Sequence, residues 1–172
     1  SANVVNMDWT GALSAGKGIT KAGAGLMKMS GNNAYSGATI VSGGTLQAGS
    51  TTAFGSASPL TLSNTAGVLV DLNNYNVTVG ALAGGGATGG NITLGSGNLT
   101  VGADSGTGSF GGVISGTGGV TKTGRGSETF TGQNTFTGVF THQGGATFLG
   151  NTNGAALFNG QGGKVVVDNI YG

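Results

Sequence analysis

A stretch of 27 residues occurs twice in this chain, and its repetition constrains the fold more than any other feature. Residues 18–44 align with residues 119–145 at a constant offset of 101 positions, and ten of the aligned positions are identical. Seven of these ten are glycines. Glycines kept in register mark turns that need a positive φ or a close backbone approach, and such self-similarity indicates a repeated supersecondary unit.

The composition favours an ordered chain made of strands. Glycine accounts for 40 of 172 residues, only one proline is present, charged residues make up 6% and apolar residues 37%. Disordered chains usually combine low hydrophobicity with high charge, which this chain lacks. Each interior glycine costs a helix about 1 kcal/mol relative to alanine, and no window with a helical apolar period is free of glycine. We therefore predict an all-β chain with frequent tight turns.

Short apolar runs show the alternation expected of strands with one buried face. The pattern Asn-apolar-Thr-apolar-Gly occurs at residues 76–80, 91–95 and 98–102. If the apolar pairs point inward, each threonine points outward, where a β-branched residue suits a strand. Asparagine and glycine at the ends are typical turn residues.

These strands are shorter, and their turns closer together, than in a β-sandwich, where turns come every ~8–12 residues. The pattern predicts a right-handed parallel β-helix, or β-solenoid, of about eight coils with roughly 20–25 residues each. We expect one domain over residues 1–172. Its parts are a possible N-terminal cap strand at 1–16, a first long repeat at 18–49, linking coils at 50–115, a second long repeat at 116–150 and a terminal coil at 151–172.

The strand register of the second repeat is open after Gly138. The first copy continues as Gly43-Gly44-Thr45-Leu46 and the second as Gly144-Gly145-Ala146-Thr147-Phe148, as if one residue were inserted. A shift of one residue exchanges the inner and outer faces of a strand. We expect the aromatic side chains to fill or cap the interior, with a carbohydrate-binding row as the alternative; they are Tyr35, Phe110, Phe130, Phe136, Phe140, Phe148 and Phe158.

No motif predicts a catalytic, cofactor-binding or metal-binding residue. Residues 11–18 nearly match a phosphate-binding loop, but Gly18 replaces the hydroxyl residue and no helix-forming run follows. Two Gly-x-Gly-x-x-Gly matches, starting at Gly84 and Gly106, are expected by accident in so glycine-rich a chain and lack a βαβ context. We interpret all three as loops.

The polar residues that could carry chemistry are few and scattered. We expect the carboxylates to be solvated, although stacking could bring two together as in a glycan-active β-helix; they are Asp8, Asp71, Asp104, Glu128 and Asp168. His142 is the single histidine, and a surface or strand position is favoured over a catalytic triad. Asn76, Asn91 and Asn98 lie in N-x-T sequons, for which strand entry is the simpler interpretation.

Charge and cysteine content exclude further classes. The net charge is +1 with the charged residues scattered, so no basic patch is available for nucleic acid. The absence of cysteine excludes disulfides and thiolate metal sites.

The long repeat resembles the autotransporter-associated β-strand repeat, also called the passenger-associated transport repeat. The second copy carries the resemblance at Gly118, Gly119, Val120, Lys122, Gly124, Gly126, Phe130, Gly132, Asn134, Phe136 and Gly138. The first copy matches at Gly18, Lys21, Gly23, Gly25, Met29, Gly31, Asn33, Tyr35 and Gly37. One departure is Ser127-Glu128-Thr129, which replaces an apolar-rich strand.

The resemblance implies a β-helical passenger of type V secretion, exposed outside a Gram-negative cell, with a translocator barrel in its full-length precursor. The function predicted from it is a non-enzymatic stalk or adhesin scaffold without a cofactor. Its partners would be neighbouring passenger segments or further copies, and a host-surface or matrix ligand. The alternatives are a subunit of an extracellular filament that stacks end to end, and a glycan-active β-helix.

Overall fold

The computed structural model describes residues 6–14, 16–149, 158–160 and 164–167. This part of the chain contains nineteen strands and no helix, and so no helix that could span a membrane. In chain order the strands are β1 (Met7–Trp9), β2 (Ile19–Lys21), β3 (Leu26–Met29), β4 (Thr39–Val41), β5 (Thr45–Ala48), β6 (Leu60–Leu62), β7 (Leu69–Asp71), β8 (Val77–Thr78), β9 (Leu82–Gly84), β10 (Asn91–Thr93), β11 (Leu99–Val101), β12 (Gly108–Phe110), β13 (Ile114–Ser115), β14 (Val120–Lys122), β15 (Ser127–Phe130), β16 (Phe140–His142), β17 (Ala146–Leu149), β18 (Phe158–Gly160) and β19 (Lys164–Val167).

The strands form three parallel sheets that stack as a β-solenoid. Sheet A has the order β1-β3-β5-β7-β10-β13, sheet B the order β19-β17-β15-β12-β9-β6-β4-β2, and sheet C the order β18-β16-β14-β11-β8. Paired residues lie between 18 positions apart, as for Phe140 and Phe158, and 26 apart, as for Gly84 and Phe110. The predicted parallel solenoid is confirmed, with about seven coils where we expected about eight.

The core is a column of aliphatic and aromatic side chains inside the three sheets. The three short motifs behave as predicted: each apolar pair is buried and each threonine lies on the outer side of its strand. These pairs are Val77 and Val79, Ile92 and Leu94, and Leu99 and Val101. Strands β9, β12 and β13 escaped prediction because each has only one large apolar residue, which gives no alternation to detect.

Strand β1 occupies one end of sheet A, beside β3. Trp9 of this strand is 39% exposed. The assignment of residues 1–16 as a cap, like the other domain boundaries, stays a prediction.

The two long repeats occupy different faces of the solenoid. In the first repeat the chain passes from a strand of sheet B around a corner to a strand of sheet A, as from β2 to β3 and from β4 to β5. In the second repeat it passes from sheet C to sheet B, as from β14 to β15 and from β16 to β17. Following the chain from β2 to β14 gives four complete circuits and two further faces. The same repeat can therefore form different corners of the solenoid.

The register after Gly138 is settled by the strand positions. Strand β17 begins 101 residues after β5, so no residue is inserted. Thr147 takes the inward place of Leu46 and is fully buried, while Phe148 takes the outward place of Gln47 and is 38% exposed. The expectation that Phe148 fills or caps the interior was wrong, because in the observed register its side chain lies on the outer side of β17.

The glycines at the corners are required by both conformation and space. Gly44 has a φ of +62°, and a Cβ on it would lie 2.4 Å from the carbonyl oxygen of Gly25 in the coil below. Gly23 has a φ of +75°, yet a Cβ there would meet nothing within 4 Å. Gly23 is therefore required only by its left-handed backbone, whereas Gly44 is required both by its left-handed backbone and by the close approach of the neighbouring coil.

We predict that Gly44→Ala destabilises the solenoid more than Gly23→Ala. Both substitutions carry the cost of a left-handed alanine, about 1–2 kcal/mol, but only the former forces two coils apart, which adds about 1–3 kcal/mol. Urea unfolding of the two variants measures the difference. Equal losses of unfolding free energy would show that close stacking at this corner does not matter.

Candidate functional site

The residues that the two repeats share point into the corner between coils. Lys21 lies on the same face of its strand as Ile19 and is only 6% exposed. Its Nζ donates hydrogen bonds to the carbonyl oxygens of Ala22 (3.1 Å) and Gly23 (2.8 Å) in its own corner. It also donates to Gly43 O (2.8 Å), one coil further along the chain. The ammonium thus joins two successive corners.

Lys122 repeats this arrangement in the second copy and is fully buried. Its Nζ donates to the carbonyl oxygens of Thr123, Gly124 and, one coil further, Gly144. Burial lowers the pKa of both lysines from its ordinary value, since water is replaced by a few carbonyl dipoles. Each lysine satisfies carbonyl groups at a bend where the strands offer no partner.

The shared asparagine bridges coils on the side of the repeat that has no strand. Asn33 Oδ1 accepts a hydrogen bond from Leu13 N (2.8 Å), and its Nδ2 donates to Ala53 O (2.8 Å). In the second copy Asn134 Oδ1 accepts from Ile114 N (2.9 Å). The buried side-chain amide therefore takes the place of a peptide group in the ladder between coils.

The burial of the two lysines has a signal in the sequence. Period-two alternation places Lys21 and Lys122 in inward slots, where a charged residue needs fixed partners. Their burial was not predicted from the sequence, because the alternation shows which side of the strand a residue faces and not which groups it contacts there.

The second copy has polar side chains at three inward positions that are apolar in the first. Inward positions held by Met27, Val41 and Leu46 in the first copy are Glu128, His142 and Thr147 in the second, and all three of the latter are buried. His142 Nδ1 lies 2.9 Å from Thr147 Oγ1, within hydrogen-bond distance. We call Lys122, Glu128, His142 and Thr147 the corner cluster.

The side chain of Glu128 contacts a residue two coils away, towards the N-terminus. Its Oε1 accepts a hydrogen bond from Leu82 N (3.1 Å), and Gly108, which pairs with it in the coil between, leaves room for the carboxyl group. A Cβ on Gly108 would lie 2.3 Å from that oxygen. Burial raises the pKa of the Glu128 carboxyl to about 8. The hydrogen bond from Leu82 and the charge of Lys122 lower this pKa, but their effect is smaller than that of burial. At neutral pH this carboxyl is therefore mostly protonated.

The carboxylates were expected to be solvated, and for Glu128 this was wrong. Asp8 and Asp104 are exposed, and Asp71 is half-buried, where its carboxylate accepts from Gln47 Nε2 (2.8 Å). Asp168 lies outside the described residues. Glu128 is buried because it occupies an inward position of strand β15.

His142 lies on strand β16, as expected, with its ring turned inward and only 1% exposed. Within the residues that the structure describes, no three histidine, aspartate or glutamate side chains gather where they could hold a metal ion.

The sequons and the glycine motifs have structural roles. Asn76 Oδ1 accepts from Asn98 N (2.8 Å) and Asn91 Oδ1 from Val113 N (2.9 Å), each in the following coil, which supports the strand-entry interpretation. The near phosphate-loop precedes β2 without a helix, and the other two glycine motifs run through strands β9 and β12 and their corners.

Five of the seven aromatic residues expected in the interior are buried there. They are Tyr35, Phe110, Phe130, Phe136 and Phe140. Phe148 is exposed as described above, and the side chain of Phe158 lies outside the described residues. Phe54 is also fully buried and was not singled out from the sequence.

Comparison with known proteins identifies the repeat. The family model described as passenger-associated-transport-repeat matches residues 19–48 and 120–153. An autotransporter adhesin of Brucella suis biovar 1, BmaC, is 38% identical over 129 residues, which cover 74% of this chain. The chain spans 4% of the length of that relative. No solved structure matches the chain significantly.

We predict that Lys21→Met lowers the free energy of unfolding by about 1–3 kcal/mol, because it leaves buried carbonyl groups without a donor. Lys28→Met is the matched control, since Lys28 lies on the outer side of β3 and should change stability by less than about 0.5 kcal/mol. Urea unfolding monitored by circular dichroism makes the comparison. Equal effects of both variants would contradict the role assigned to Lys21.

We further predict that Asn33→Ala costs about 2–4 kcal/mol, since the buried Ala53 carbonyl and the partly buried Leu13 N–H lose their partner. The neighbouring Asn32 is exposed and accepts only from Thr52 Oγ1 (2.9 Å), so Asn32→Ala should cost less than about 1 kcal/mol. Thermal unfolding of both variants tests this, and a mild effect at Asn33 would show that its amide does not hold the coils together.

Proposed function

We propose that this chain, which carries two passenger-associated transport repeats, is a structural segment of an autotransporter passenger. The main support for the proposal is that the polar side chains shared by both repeats form their hydrogen bonds with backbone groups of neighbouring coils. Lys21, Lys122, Asn33 and Asn134 all bond to backbone groups of the solenoid and leave nothing directed at a substrate. The segment supplies length and rigidity, without chemistry of its own.

The proposed mechanism is stepwise folding outside the cell. In a solenoid each coil contacts chiefly its neighbours, so folding can begin at one end and propagate coil by coil. Every added coil buries aliphatic side chains and closes backbone ladders, which opposes return of the chain through a narrow pore. Absent cysteines and few charges suit a chain that crosses a membrane unfolded.

The proposed location is the surface of a Gram-negative bacterium, and the nearest partners are adjoining coils of the passenger. The matching relative is an adhesin. For this chain we propose the supporting part of such a molecule, with contact to a host or matrix ligand made by other segments.

The experiment is surface display in a Gram-negative host, with the chain placed between a secretion signal and a translocator domain. Protease added to intact cells should degrade or release the wild-type segment from the surface. Asn33→Ala should reach the surface in smaller amounts than Asn32→Ala, because the amide bridge between coils is lost. Retention of the wild-type chain inside the cell, or equal delivery of both variants, would overturn the proposal.

A further inference from the structure

The corner cluster contains two buried polar atoms that no protein group satisfies. They are Oε2 of Glu128 and Nε2 of His142, each on a side chain no more than 1% exposed. The equivalent corner of the first repeat keeps the lysine but has Met27, Val41 and Leu46 at the three aligned positions. One chain therefore contains the same corner twice, once with apolar neighbours and once with titratable ones.

The geometry places the Glu128 carboxyl where charge is hardest to accommodate. One oxygen accepts from Leu82 N and the other has no partner, while Gly108 offers only backbone around it. The Lys122 ammonium gives its hydrogen bonds to corner carbonyls and not to the carboxyl. A buried carboxylate with one bond and no directly bonded cation is costly, whereas the neutral acid is tolerated.

We infer that the corner cluster is a proton-dependent latch. When Glu128 is protonated, the coils of the second repeat are held closed, and when Glu128 loses its proton, the repeat opens more readily. The first repeat has no such dependence.

The groups that face Glu128 set the direction of the effect. Lys122 on β14 favours the ionised form, and Asp104, in the corner before β12, opposes it. Thr147 on β17, the register partner of Glu128, is uncharged, and its hydroxyl lies within hydrogen-bond distance of His142. Burial and Lys122 both lower the pKa of His142, against a smaller raising effect of the Gly145 backbone.

The pH window follows from these shifts. The pKa of Glu128 rises from 4.5 when unfolded to about 8 when folded, so the stability that its protonation gives is full below pH 4.5 and is lost as the pH rises to 8. The lowered pKa of His142 acts in the opposite sense below its ordinary value of 6.5. Because the pKa of Lys122 is lowered in the folded state, this residue adds stability as the pH rises towards 10.5, the ordinary pKa of a lysine. The window from pH 6.5 to 8 lies between the unfolded and folded pKa values of Glu128, so we expect this carboxyl to set the direction of the pH dependence there.

Hydrogen exchange of the intact chain, followed by mass spectrometry from pH 5.5 to 8.5 and corrected for intrinsic rates, tests the latch. The opening constant of strands β15 and β17 should rise about 15-fold between pH 6.5 and 8, relative to that of β3 and β5. The first repeat serves as the internal control. Parallel pH profiles for the two repeats would overturn the inference.

Two variants at one position identify the responsible group. Glu128→Gln keeps the size of the side chain and the acceptor for Leu82 N, and Glu128→Met installs the residue of the first repeat. Either should flatten the profile between pH 6.5 and 8. His142→Val should retain the slope in that window and lose only the opposing effect below pH 6.5. A slope that persists in a folded Glu128 variant would contradict the latch.

Discussion

Close stacking of one backbone on the next is the constraint on which the whole molecule depends. The coils lie near enough for parallel ladders to form on three faces, and that spacing leaves no room for a side chain at corners such as Gly44 and Gly126, where a Cβ would fall within 2.5 Å of a carbonyl oxygen of the coil below. Glycine is therefore abundant because the solenoid turns sharply under a neighbour. The inward aliphatic residues then fill the narrow column that the ladders enclose.

At the bends the ladders are interrupted, and side chains complete them. Lys21 and Asn33 do this in the first repeat, each by reaching a backbone group about one coil away, and the same residue types recur 101 positions later. Because these contacts involve only backbone groups of adjacent coils, the unit functions wherever a corner occurs. This explains how one sequence pattern can occupy the corner between sheets B and A and later the corner between sheets C and B.

Much of the architecture could be predicted from the sequence, because glycine spacing and period-two alternation are local signals. The motif at residues 98–102 was predicted as a strand with its apolar pair inward, and Leu99 and Val101 of β11 are fully buried. Strand β12 was missed because Gly108 and Ser109 carry no apolar signal. The burial of Glu128 was missed because its stability depends on space left by Gly108 and a hydrogen bond from Leu82, 46 residues away, which no local pattern records.

The central claim is that the lysine of each repeat is a buried connection between coils. It can be tested most directly by nuclear magnetic resonance of the lysine ammonium groups. The account predicts slowly exchanging, resolved Nζ protons for Lys21 and Lys122, each lost on substitution by methionine, while Lys17 and Lys28 exchange rapidly with water. Rapid exchange at Lys21 and Lys122, equal to that at Lys28, would contradict it.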